Sequence, residues 1–75
     1  MKELIEYMAK ALVDNEEEVR IEEIEKDDVI YLKLYVAKDD IGKVIGRQGR
    51  IAKAMRTILK SSSIGLKKKY VLDII

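Results

Sequence analysis

Cysteine and histidine are both absent from this chain. Disulfides, thiolate nucleophiles, histidine bases and the common zinc sites are thereby excluded together, although the lack of cysteine does not itself select a compartment. Long hydrophobic runs are missing as well. The opening stretch, Met1 to Asn15, carries Glu3 and Glu6 inside its apolar pattern, so it reads as neither a secretory signal nor a membrane span. A soluble, cytoplasmic protein is the expectation. Aromatic residues are sparse and none lies between Val36 and Lys69, which denies that stretch the stacking platform of many single-strand binders. Nor do Gly42, Gly46 and Gly49 build a nucleotide loop: no Lys-Ser or Lys-Thr follows a GxxxxG, and the spacing is not GxGxxG.

What is present is a single small domain of 75 residues, whose core contributes only about 3–5 kcal/mol net. The net charge of +1 would argue against a nucleic-acid partner if it were evenly spread. It is not. Residues 1–30 hold four basic and eleven acidic side chains, and residues 31–75 hold eleven basic and three acidic. The second part is therefore the one suited to a polyanion, and the acids of the first part solvate it.

Met1, Leu4, Ile5, Met8, Ala11 and Leu12 recur at helical spacing and predict an amphipathic helix over residues 2–13, ended by Asp14-Asn15. The methionines there are gap-filling core rather than ligands. Val19 to Glu22 alternates and then breaks at Glu23-Ile24, predicting a short strand with a bulge or an irregular end. After the turn signal Lys26-Asp27-Asp28, Val29 to Val36 alternates cleanly, with Ile30, Leu32, Leu34 and Val36 on one face. The two strands should form an antiparallel hairpin. Val29, Tyr31, Lys33 and Tyr35 on the opposite face suit a partner surface as well as they suit a solvated strand with polar-tipped tyrosines.

Asp39 or Asp40 is placed to cap a short helix. As neighbours in sequence they do not converge on one reacting atom, so an acid–base pair is not expected. The long helix that follows carries Ile51, Met55, Ile58 and Leu59 on one face and Arg50, Lys53, Thr57 and Lys60 on another. Ser61-Ser62-Ser63 and Gly65 end it, which accounts for the serines beside Lys60 better than a nucleophile does. Lys67-Lys68-Lys69 leads into a last strand, Tyr70 to Ile75, with Tyr70, Leu72 and Ile74 inward. The predicted class is α+β, in the order α-β-β-α-α-β, with a three-stranded mixed sheet and the helices on one face. The strand-helix-helix-strand unit crosses over, so its two strands can lie parallel.

The turn joining the last two helices is Gly46-Arg47-Gln48-Gly49. Glycines at those positions permit unusual φ values and close approach of another backbone. The following helix start offers unpaired N–H groups and a dipole attractive to phosphate. Arg47 and Arg50 add charge at the same place.

The stretch Ile41 to Ala54, I-G-x-V-I-G-x-x-G-R-x-x-x-A, resembles the KH RNA-binding signature, whose GxxG loop clamps a nucleic-acid backbone. The element order is similar to the bacterial type II KH arrangement, and the whole chain resembles small single-KH proteins of the KhpA type. The resemblance implies that Gly46, Arg47, Gln48 and Gly49 clamp single-stranded RNA, with Lys43, Arg50 and Lys53 adding charge. Ile41, Val44, Ile45 and Ile51 are then candidates for the groove floor. It implies no cofactor and no enzymatic activity, self-association or pairing with a larger KhpB-type RNA-binding protein, and a role as RNA chaperone or post-transcriptional regulator. Single-stranded DNA stays open as a ligand, because no residue identified reads a 2′-hydroxyl. The rival expectation is a protein-interaction module on the same scaffold.

Overall fold

The computed structural model describes residues 1–75 and contains six principal elements. Helix α1 spans Lys2–Leu12, β1 Arg20–Lys26, β2 Val29–Tyr35, α2 Ile41–Ile45, α3 Arg50–Ser62 and β3 Lys69–Ile74. The order is the one expected, with short 3-10 turns between several elements. No helix is long and apolar enough to cross a membrane.

Strand β2 is the centre of the sheet, pairing antiparallel with β1 and parallel with β3. Asp27 and Asp28 close the β1–β2 hairpin with φ of 51° and 65°. Two positive φ values match the twist of the flanking strands, and aspartate tolerates that region better than most residues. Register runs unbroken from Arg20↔Tyr35 to Lys26↔Val29. The bulge expected at Glu23-Ile24 is therefore absent. The apolar alternation breaks there because Ile24 lies opposite Tyr31 on the other face of the sheet, while Glu23 and Glu25 lie on the helix side and are exposed there.

Ile30, Leu32 and Leu34 supply the inner face of β2 and are buried, alternating with the half-buried Val29, Tyr31, Lys33 and Tyr35. Ile5 and Ala9 of α1, Val44 of α2, Met55 and Leu59 of α3, and Leu72 of β3 pack with them in one core. All three helices thus serve the same side of the sheet. On α3 the buried stripe is Ala52, Met55 and Leu59, with Ile51 half-buried. Ile58, expected on that stripe, is 43% exposed. It sits about 100° around the helix from Leu59, on the flank of the packed face.

Candidate nucleic-acid interface

Helix α2 has only five residues, and its last turn closes with the Gly46 N–H donating to the Gly42 carbonyl at 2.8 Å. At Gly46 the chain turns with φ 78° and ψ 172°. A Cβ at this position would lie 2.6 Å from Cγ1 of Ile51, so both conformation and space require glycine. Gly49 has φ 73° and nothing within 4 Å of a Cβ position, so there only the backbone conformation favours glycine. Between them Gln48 also takes left-handed angles, φ 58° and ψ 24°, a conformation that costs a non-glycine residue roughly 1–2 kcal/mol. The Gly49 N–H donates back to the Gly46 carbonyl at 3.1 Å, and α3 begins at Arg50.

Arg47, Gln48, Arg50 and Lys53 are all exposed around this turn. Arg50 Nη2 donates to Gln48 Oε1 at 3.3 Å. Ile45 is 37% exposed beside Gly46, and Ile41 and Ile51 are half-buried. Val44 differs from expectation: it is fully buried in the core and offers no floor to a groove. Its burial, the only one in this one-turn helix, is what seats α2 on the core.

Lys43 is also differently employed. Its ammonium is ion-paired with Asp14 and lies 3.6 Å from Asp40 Oδ1. The hydrogen bond to Asp14, helped by the charges of Asp14 and Asp40, raises its pKa above the usual ammonium value despite partial desolvation. Asp40 does not cap its own helix. Only 1% exposed, it accepts from the main-chain N–H of Asn15 at 3.0 Å and of Asp14 at 3.4 Å, and from Asn15 Nδ2 at 3.0 Å. Burial pushes its carboxyl up. The hydrogen bonds from Asn15 and Asp14, with the Lys43 charge, outweigh that and hold it below the ordinary carboxylate value.

From the turn the cations continue along α3 to a cavity of about 350 Å³ between α3 and β3, whose lining includes Arg56, Lys60, Lys69 and Tyr70. Arg56 is fixed there by donating from Nε to the Leu72 carbonyl at 3.3 Å. Neither Arg56 nor the cavity was apparent from the GxxG spacing. The signal that could have found them is helical: Lys53, Arg56 and Lys60 lie at i, i+3 and i+7. Tyr70 also shows that a stretch without aromatics in sequence can still have one beside it in space.

A family model describing the KhpA/KhpB KH domain matches residues 2–74. The chain belongs to this family. Three of its KhpA/KhpB relatives carry the name RNA-binding protein KhpA. That of Clostridium perfringens is 52% identical over 75 residues, covering all of both chains. That of Clostridium acetobutylicum is 49% identical, again over the full length of both. That of Aquifex aeolicus is 45% identical, over all of this chain and 95% of its own. No solved structure gives a significant match. KhpA/KhpB membership and the α-β-β-α-α-β order together assign the KH fold to a chain whose signature occupies only Ile41 to Ala54.

Proposed function

We propose that this chain binds single-stranded RNA, gripping the sugar-phosphate backbone with Gly46, Arg47, Gln48 and Gly49. The observation that carries the reading is the seating of Gly46 against Ile51, where no Cβ fits. It folds the chain so that the turn opens to solvent with Arg47, Arg50 and Lys53 exposed around it. The relatives' name supports RNA over other polyanions. Bases then run from Ile45 towards the α3–β3 cavity, with Arg56 and Lys60 beside them. With three or four phosphates engaged, log Kobs falls with log[salt] with a slope of roughly −2 to −3. The protein acts as a cytoplasmic RNA chaperone or post-transcriptional regulator rather than as an enzyme.

The test is fluorescence polarisation of a short labelled RNA, and of the matching DNA, with the wild type and Arg47→Asp/Gln48→Asp. Circular dichroism confirms the fold of both. Binding by the wild type and loss in the variant support the clamp; equal binding by both refutes it.

A second module raises the modest affinity of one such domain, and the uncovered sheet face favours an association. Across that face the register sets Ile24, Tyr31 and Val71 in one row, with Glu22, Lys33 and Asp73 in the next and Lys26, Val29 and Lys69 in the row on the other side. Two copies packed with strands parallel would oppose Glu22 to Asp73, whereas an antiparallel two-fold along the apolar row would set that row on itself, with Glu22 against Lys26 and Asp73 against Lys69. The face therefore suits a KhpB-type RNA-binding protein, the partner proposed, and a second copy as well. Sedimentation velocity of the chain alone, and mixed with such a partner, decides it. A dimer of the chain alone that Tyr31→Glu dissociates would establish self-association.

A further inference from the structure

Asp40 is the one polar or charged residue buried in this protein, and its placement is unusual. It occupies the position just before α2, where a carboxylate ordinarily caps the helix it precedes. Here it makes no such bond. It reaches out to the chain leaving α1 and takes three hydrogen bonds from Asp14 and Asn15, far away in sequence. Lys43, one turn further along α2, returns to the same connection by pairing with Asp14. Two residues at i and i+3 thus fasten one short helix to one loop.

The reason for such fastening lies in the length of α2. A helix of five residues has no stability of its own, so its direction is set from outside. Val44 anchors it to the core and Asp40 anchors its start. Its end is Gly46, and the turn hangs from that end through the Gly46 N–H to Gly42 carbonyl bond. With Asp40 released, α2 keeps only Val44 in the core and the solvent-exposed Lys43–Asp14 ion pair, and can pivot about Val44. A pivot there moves Gly46 relative to Ile51, the contact on which the shape of the turn depends.

We propose that Asp40 is a positioning residue for the Gly46–Gly49 turn, acting through the Asp14–Asn15 connection, with Lys43 bracing the same joint rather than contacting phosphate. The affinity arm of the test rests on the clamp reading above; the dynamics arm does not. Asp40→Asn keeps the shape but replaces one carboxylate oxygen by an amide donor, which then faces the N–H of Asp14 or the donors of Asn15, and removes the negative charge beside Lys43. Ile30→Val, a small core deletion on β2, serves as a control of lowered stability that leaves the latch intact.

Backbone order parameters from ¹⁵N relaxation, below the unfolding range of every variant, report the turn directly. For residues 46–49 the wild type and Ile30→Val should remain near the rigid value of about 0.85, and Asp40→Asn should fall towards about 0.6. If the turn is then correctly placed about a tenth of the time, the apparent Kd for an eight-nucleotide RNA rises about tenfold. Equal order parameters in Asp40→Asn and Ile30→Val would overturn the proposal. A loosened turn with RNA binding that is insensitive to Arg47→Asp/Gln48→Asp would uphold Asp40 as the positioning residue and discard the clamp. If Asp40→Asn does not fold, Asn15→Ala removes only the side-chain donor and is read by the same two measurements.

Discussion

Gly46 and Ile51 are locked by distance: a methyl group on the glycine would lie 2.6 Å from the Ile51 Cγ1 and 2.8 Å from its Cβ. Gly49, three residues on, has open space around it. The two glycines of the turn are therefore not equivalent. Gly49→Ala meets only the left-handed backbone cost of roughly 1–2 kcal/mol, whereas Gly46→Ala adds an overpacking cost of about 1–3 kcal/mol. Urea denaturation should rank the Gly46 variant as the less stable. Equal stability of the two would mean that the side chain of Ile51 yields without cost.

The cations near the turn divide into free and committed. Arg47 and Lys53 face solvent, while Lys43 is held by Asp14 and Asp40. Replacing Arg47 or Lys53 by alanine should each flatten the salt dependence of RNA binding by about 0.7 in slope. Lys43→Ala should leave the slope unchanged while weakening binding at every salt concentration. Titrations of the three variants between low and moderate salt make the comparison.

Acid should release the Asp40 joint only at low pH. Its carboxyl is held below the ordinary value of 3.8 in the folded state, so its contribution is complete above that value and is lost as pH falls through the depressed one. Wild type should exceed Asp40→Asn in stability at pH 7, and the gap should close only below about pH 4. Thermal unfolding followed by circular dichroism at pH 7, 4 and 2.5 shows it. A gap that persists unchanged at the lowest pH would mean that the charge of Asp40 is not what holds the joint.

Along the groove, Arg56→Glu and Lys60→Glu place anions at the α3–β3 cavity. Each should weaken RNA binding about tenfold or more, as expected when phosphate attraction becomes repulsion. Arg56→Glu should also lower the melting temperature, since it removes the bond to the Leu72 carbonyl; Lys60→Glu should not.

The regular parts of the fold were legible from periodicity alone. Alternation placed Ile30, Leu32 and Leu34 in the core, and helical spacing placed Ile5, Met55 and Leu59 there. The hairpin turn and the parallel crossover followed. Several readings failed for physical reasons that one-dimensional patterns do not contain. Ile24 broke the alternation of β1 because it serves the far face, not because the backbone bulges. Ile58 kept helical spacing but fell on the flank of a buried stripe too narrow to cover it. Val44 and Lys43 stood inside the signature yet one went to the core and the other to an ion pair. The role of Asp40 was hidden most fully, since its partners at Asp14 and Asn15 meet it only after α1, the sheet and α2 have been assembled.

Parallel pairing of β2 with β3 sets Val29 beside Lys69 and Leu34 beside Ile74. Everything proposed to touch RNA, from Ile45 through the turn to Lys60, belongs to the segment that this pairing closes. Without β3 the sheet has only two strands, a marginal structure, and the crossover has no third strand to close it. Contacts so distant in sequence form late and slowly. The segment proposed to touch RNA therefore reaches its folded arrangement only once the last strand has docked.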